Sequence, residues 1–204
     1  MCPLRAILTQ TQITIDADFA EIFISLCNTG ALQNNHKKGR TRQRTRPNPE
    51  TFSMRVGLIV DSACDLPYEF ARKHDLFVLP VTAIIDGQTY IDNHDPVRTQ
   101  EFYQSGLLDK GHQAETEAFS AEQIHDLFME KIVTEFDVAI CETVTRSRSL
   151  IYQNASEAMN SVMAHYEEAR KAAGRDGKFS MRVIDSKQIF AGQGLLAAHT
   201  LKLI

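Results

Sequence analysis

From residue 54 onward the chain alternates short apolar runs with amphipathic stretches, and the two periods predict strands and helices in turn. MRVGLIV is a short, β-branched apolar run ending at Asp61, and LPYEFARKH follows it with helical spacing, so a strand and then a helix are expected. LFVLPVTAII predicts a second buried strand. Asp86-Gly87 offers a tight turn, TYID returns as a short segment, and TQEFYQSGLL beyond Pro96 is helical, which together suggest a hairpin-like excursion.

The spacing in SAEQIHDLFMEKIVTEF puts Ile124, Leu127, Phe128, Ile132 and Phe136 on one helical face, and Ser120 with Gln123 forms a capping-box signature at its start. DVAIC then reads as a buried strand. From Ser149 a second amphipathic helix is marked by Ile151, Ala155, Ala158 and Val162, and the polar AAGRDGK turn ends it. The strand MRVID and a helix from about Gln193 through LLAAHTLKLI complete the pattern. Strands alternating with helices imply an α/β fold: a mostly parallel sheet with helices on both faces.

Residues 1–53 read differently. An apolar patch from Phe19 to Leu26, including Ile22, Phe23 and Ile24, precedes NNHKKGRTRQRTRPNPETFS, which has no apolar period, two prolines and many charges of one sign. Such a tract cannot bury enough surface to offset its ordering entropy, so it is expected to be a disordered or spurious extension arising from a start placed too far upstream of Met54. Lys37, Lys38, Arg40, Arg42, Arg44 and Arg46 would neutralise phosphates, but no aromatic residues are interleaved to stack on bases, which disfavours nucleic acid as a partner. The chain stops at Ile204 inside an apolar helical run with no cap, from which a truncated polypeptide lacking a second lobe is expected.

Composition adds exclusions. In 204 residues the formal net charge is −4, no run approaches the ~18 apolar residues of a membrane helix, and no secretory signal opens the chain, so a cytoplasmic location is expected. Cys2, Cys27, Cys64 and Cys141 are scattered, with no Cys-x-x-Cys pair and no zinc spacing, and read as reduced thiols without disulfide, metal or other cofactor. Phosphate-binding glycine loops and the G-x-S-x-G nucleophile elbow are also absent from the sequence.

In open parallel sheets ligands bind beyond the carboxyl ends of the strands, and three such places are polar here. Asp61-Ser62 and Asp185-Ser186 each follow a strand. Neither Asp has an adjacent His, so acceptance of backbone N–H bonds in the following turn, with capping of the next helix, is favoured over a catalytic pair. The third place, ETVTRSRSLIYQNA, brings Thr143, Thr145, Ser147 and Ser149 with Arg146 and Arg148 to a helix start, where an anion site and plain capping are both open.

The ordered features resemble the DegV family, whose members open with a strand and DS-x-x-DLP, as VDSACDLP does at Val60 to Pro67. FVLPVTAIIDGQTYID, the Phe102-Tyr103 pair, Tyr152-Gln153-x-Ala155 and VIDS with its downstream AGQG follow in the same order, so the resemblance spans Met54 to Ile204, about half of such a protein. It implies the amino-terminal lobe of a two-lobed carrier that buries the tail of a long-chain fatty acid, holds its carboxylate on hydroxyls and, in some bacteria, presents it to a fatty-acid kinase. It assigns ligand contacts to Thr116 and Ser149, supported by Asp61 and Ser62.

Both family motifs that supply the hydroxyls are altered. A Thr-Ser-x-Pro-Ser loop reads Thr116-Glu117-Ala118-Phe119-Ser120, and a Ser-Gly-Thr helix start reads Ser149-Leu150-Ile151. Glu117 would set a negative charge beside a carboxylate unless it points away, and Leu150 restricts close backbone approach. The alternative is a phosphoryl- or acyl-transfer enzyme acting on a small anionic metabolite through the same cluster, with Asp61 or Asp185 as base.

Overall fold

A computed structural model describes residues 54–107 and 111–204. The expectations for residues 1–53 lie outside the described residues.

Four parallel strands form the central sheet: β1 (Val56–Asp61), β2 (Phe77–Leu79), β6 (Val138–Thr143) and β7 (Ser180–Asp185), in the order β2-β1-β6-β7. Strand β1 is buried along nearly its whole length, as a strand covered on both faces must be, which is why its sequence is a continuous apolar run. Its alternate residues divide between two cores. Ile59 of β1, with Ala139 and Cys141 of β6 and Met181 of β7, faces helices α3 (Ala121–Leu127) and α4 (Ile151–Ala172). Leu58, Val60 and Ile140 face the other way, against Ala197 and Leu201 of α5 (Ala191–Leu203). The α/β class with a mostly parallel sheet and helices on both faces is thus what the chain adopts.

The helices form where the patterns place them. Ile151, Ala155, Ala158 and Val162 are the buried face of α4. Helix α3 opens on the expected box, Ser120 Oγ accepting from the Gln123 N–H and the Gln123 side chain from the Ser120 N–H. It continues into one wide turn over Phe128–Ile132, closed by the Val133 N–H to the Phe128 carbonyl. That insertion rotates the helix so that Phe128, Ile132 and Val133 are all buried. Arg170, near the end of α4, is 1% exposed and ties down the segment that follows this turn: it donates to Val133 O at 3.0 Å, to Phe136 O at 2.6 Å and to the Asp137 carboxylate Oδ1 at 2.8 Å.

The second apolar run departs from expectation. LFVLPVTAII is two strands in two sheets, divided at Pro80. Phe77–Leu79 is the edge of the parallel sheet, whereas β3 (Val81–Ile85) is the middle of an antiparallel sheet of order β4-β3-β5. Proline has no N–H for a ladder, so a break there is natural. The Asp86-Gly87 turn, with φ of 49° and 78°, closes the hairpin to β4 (Gln88–Asp92), as the sequence suggests. Strand β5 (Ala114–Ala118) was not expected: AETEA is polar, and its pairing with β3 is what makes it a strand. The remaining helices are α1 (Tyr68–Lys73), after β1, and α2 (Pro96–Gln104), whose start is capped by Asp95 accepting from the Val97 and Arg98 N–H groups. Helix α5 begins two residues earlier than its periodicity indicated. Among the described residues no helix is long and apolar enough to cross a membrane.

Candidate functional site

The strand order places a switch point between β1 and β6: the chain leaves β1 toward β2 on one side and returns to β6 on the other. A crevice forms at the carboxyl ends of such a pair. Here Asp61 spans it. Its Oδ1 accepts from the Ala63 N–H at 3.0 Å and its Oδ2 from the Val144 N–H at the end of β6. Asp61 is fully buried, and desolvation raises its pKa against the opposing pull of those two N–H groups.

Asp185, at the end of β7, repeats the arrangement from the other side. Its Oδ1 accepts from the Lys187 N–H at 3.0 Å and from the Arg146 N–H at 3.2 Å, and Oδ2 lies 3.5 Å from Arg146 Nε. Each Asp therefore takes the N–H two residues on, as the sequence favoured, and each also takes an N–H from the loop between β6 and α4. Capping of the next helix does not accompany this, since the residues preceding α1 and α5 are Pro67 and Phe190. Both oxygens of Asp61 and Oδ1 of Asp185 are thus engaged by backbone N–H groups, and Oδ2 of Asp185 faces the Arg146 guanidinium.

Between the two aspartates runs the loop from Val144 to Leu150. Thr143 is buried and its hydroxyl turns to the Ile184 carbonyl, so it is not part of the rim. Thr145 and Ser147 hydroxyls lie 3.2 Å apart. Ser149 Oγ accepts the Ile151 N–H at 3.2 Å, two residues before the helix, whose N-cap is Leu150, and this leaves its own O–H to donate. Ser62 is 9% exposed, its N–H donating to the Leu79 carbonyl.

Thr116 stands apart from these. It is an exposed residue in the middle of β5, opposite Ala83, and Glu117 follows it. Successive strand residues point to opposite faces, so Glu117 is directed away from the side that Thr116 serves. The link from this strand to the crevice runs through its exit: the Phe119 carbonyl accepts from Asn154 Nδ2 in the first turn of α4 at 2.7 Å. Asp61, Ser62 and Ser149 thus share the carboxyl end of the parallel sheet, and Thr116 belongs to the second sheet beside it.

Sequence reasoning missed a buried polar group under the crevice floor. Glu142 is fully buried beneath α5, its Oε1 accepts from Thr200 Oγ1, and its main-chain carbonyl accepts from Gln193 Nε2 at 3.1 Å. Glu142 Oε2 and Gln193 Oε1 have no hydrogen-bond partner. Burial pushes the Glu142 carboxyl up to about 7, with the Thr200 hydroxyl opposing. Two buried acceptors in one cluster are best served by an acid that keeps its proton and can donate. Cys64 and Cys141 are buried free thiols, and burial pushes Cys64 up to about 12. Cys2 and Cys27 lie outside the described residues.

A family model for uncharacterised proteins of the DegV family matches residues 55–204. The chain belongs to the DegV family. A DegV domain-containing protein of Xanthomonas axonopodis pv. citri is 41% identical over 150 residues, which are 74% of this chain and 48% of that protein. A Thermotoga maritima fatty acid-binding protein is 26% identical over 103 residues, 50% of this chain and 35% of the relative. Among solved structures, a stearic acid-binding protein from Eubacterium ventriosum superimposes with a TM-score of 0.60 at 30% identity, over 72% of this chain and 47% of that one. A DegV lipid-binding protein from Thermotoga maritima gives 0.61 at 20% identity, over 74% and 48%, and shows the shared fold. The chain spans about half the length of the DegV relatives it matches most fully.

Proposed function

We propose that the DegV lobe of this chain holds the carboxylate of a long-chain fatty acid at the carboxyl ends of β1 and β6. Ser149 is the central contact, Thr116 and Ser62 complete the polar rim, and Asp61 shapes the site from beneath. The observation that carries this reading is the state of Ser149: its oxygen already accepts the Ile151 N–H, so its hydroxyl proton is free to donate, at the positive end of a 22-residue helix. The names of the Eubacterium ventriosum and Thermotoga maritima relatives support fatty acid as the ligand class. Asp61 acts through the backbone, since both its oxygens are engaged and it is shut off from solvent.

Leu150 is compatible with this. Its side chain is 65% exposed, so the residue that stands where the family has glycine adds apolar surface beside Ser149 and does not fill the crevice. The same reading includes handing the acid to a fatty-acid kinase, for which the carboxylate is the reactive group.

Ser149→Ala tests the assignment. Loss of a cap alone costs about 1 kcal/mol of stability and leaves ligand affinity unchanged. If the hydroxyl holds the carboxylate, fatty-acid affinity falls at least about tenfold, equivalent to about 1.4 kcal/mol. Unchanged affinity removes Ser149 from the site, and absence of fatty acid from denatured protein by mass spectrometry counts against the ligand class.

A further inference from the structure

Strand β3 is the middle of the antiparallel sheet, and its first residue, Val81, stands opposite both Asp92 at the end of β4 and Ala118 at the end of β5. The Pro80 junction, the exit of β4 and the exit of β5 therefore lie along one edge of that sheet. At this edge two side chains tie it to the crevice.

Just beyond β4, His94 Nε2 lies 2.7 Å from the carbonyl oxygen of Ser62, 32 residues away in sequence. A carbonyl oxygen only accepts, so Nε2 carries the hydrogen and the bond fixes the ring. The backbone at His94 is in the left-handed region, φ 59°, a conformation that histidine tolerates better than most residues, and Asp92 Oδ1 holds it there by accepting the His94 N–H at 3.2 Å. Just beyond β5, the Phe119 carbonyl accepts from Asn154 Nδ2 at 2.7 Å, across 35 residues and one helical turn past Ser149.

At the opposite edge, among the described residues, the side-chain ties stay within the sheet's own turns, where Asp86 takes the Gln113 N–H and the His112 ring. Thr116, opposite Ala83, sits two residues in from the anchored edge, about 7 Å along the strand. Its place relative to Ser62 and Ser149 is consequently set by whatever holds that edge.

We infer that His94 and Asn154 are positioning residues of the carboxylate site, which hold the sheet bearing Thr116 against the loops bearing Ser62 and Ser149. This inference rests on the proposed fatty-acid reading. Neither residue touches the ligand: one acts by gripping the Ser62 carbonyl, the other the Phe119 carbonyl.

The test uses the full chain, with stearate and methyl stearate as probes. His94→Leu and Asn154→Asp each remove a donor, and His94→Gln retains one. The donor-less variants are expected to weaken stearate binding at least about fivefold, with a smaller effect on the uncharged ester, while His94→Gln stays within about twofold of the parent. In a Thr116→Ala background the penalty of His94→Leu should disappear, because the two act as one unit. A purely structural effect would persist there and would follow the melting curve. The inference is overturned if the parent binds stearate and both donor-less variants bind it equally well, or if the penalties survive intact without the Thr116 hydroxyl. If the parent chain binds no stearate, the proposed carboxylate site itself fails, and the positioning role with it.

Discussion

The parallel and antiparallel sheets share the junction at Pro80 and differ in how they are held. The parallel sheet is sealed between helices on both faces, and its polar groups are buried and almost all partnered: Asp61 to two N–H groups, Arg170 to four carbonyls and a carboxylate, Glu142 to Thr200. The antiparallel sheet is only partly covered. Four of the five residues in β4 and four of the five in β5 are exposed, so backbone pairing, two side-chain ties at one edge and the packing of Val81, Ala118 and Phe119 on the main core hold it. Burial and polar pairing are thereby concentrated in the parallel sheet, and substitutions should separate the two sheets.

The largest effect should come from Arg170→Ala. It leaves the Val133 and Phe136 carbonyls without their donor inside the core and opens a cavity, so a loss of about 3–5 kcal/mol in urea unfolding is expected. A loss below about 1 kcal/mol would show that the wide turn after α3 does not need this donor.

Next is the pH dependence set by Glu142. Its folded pKa, about 7, lies above its ordinary value of 4.5, so the native state keeps a proton that the unfolded chain has released. The sign follows: this contribution is fully present below 4.5 and is lost as pH rises through 7, a decline on the order of 3 kcal/mol. Glu142→Gln retains an acceptor for Thr200 and supplies a donor at all pH values. The stability difference between variant and parent should therefore grow from pH 5 to pH 8, and parallel curves would refute a neutral Glu142.

Gly194→Ala should be milder. A Cβ there meets the Asp65 carbonyl oxygen at 2.7 Å, so α5 must lift from the loop after β1, at a cost of about 1–3 kcal/mol by thermal melting. The smallest effect is expected for Ile91→Thr on the outer face of β4, where the side chain is 47% exposed: within about 0.5 kcal/mol. A larger loss would mean that the antiparallel sheet contributes more to global stability than its exposure indicates.

Sequence reasoning recovered what periodicity encodes. The apolar stripes of α3 and α4 and the run of β1 are local signals that the structure uses as expected, and the paired Asp-Ser turns take the expected backbone N–H bonds without capping the next helix. It misjudged LFVLPVTAII because an apolar run does not say which sheet receives each half, and Pro80 was the available clue. AETEA carries no strand signal of its own, since pairing with β3 creates it. His94, Asn154, Glu142 and Gln193 were invisible because their partners lie 32 or more residues away and no local spacing marks them.

The loop between β6 and α4 is held from both sides through its main chain, by Asp61 at Val144 and by Asp185 at Arg146. Two points of its path are thus fixed by residues that lie outside it, and the contacts of its own Thr145, Ser147 and Ser149 add to them. A lineage can exchange Ser-Gly-Thr for Ser-Leu-Ile at the helix start without redrawing the loop. Under the proposed fatty-acid reading, libraries aimed at new ligands belong between Thr145 and Leu150, with both aspartates left untouched.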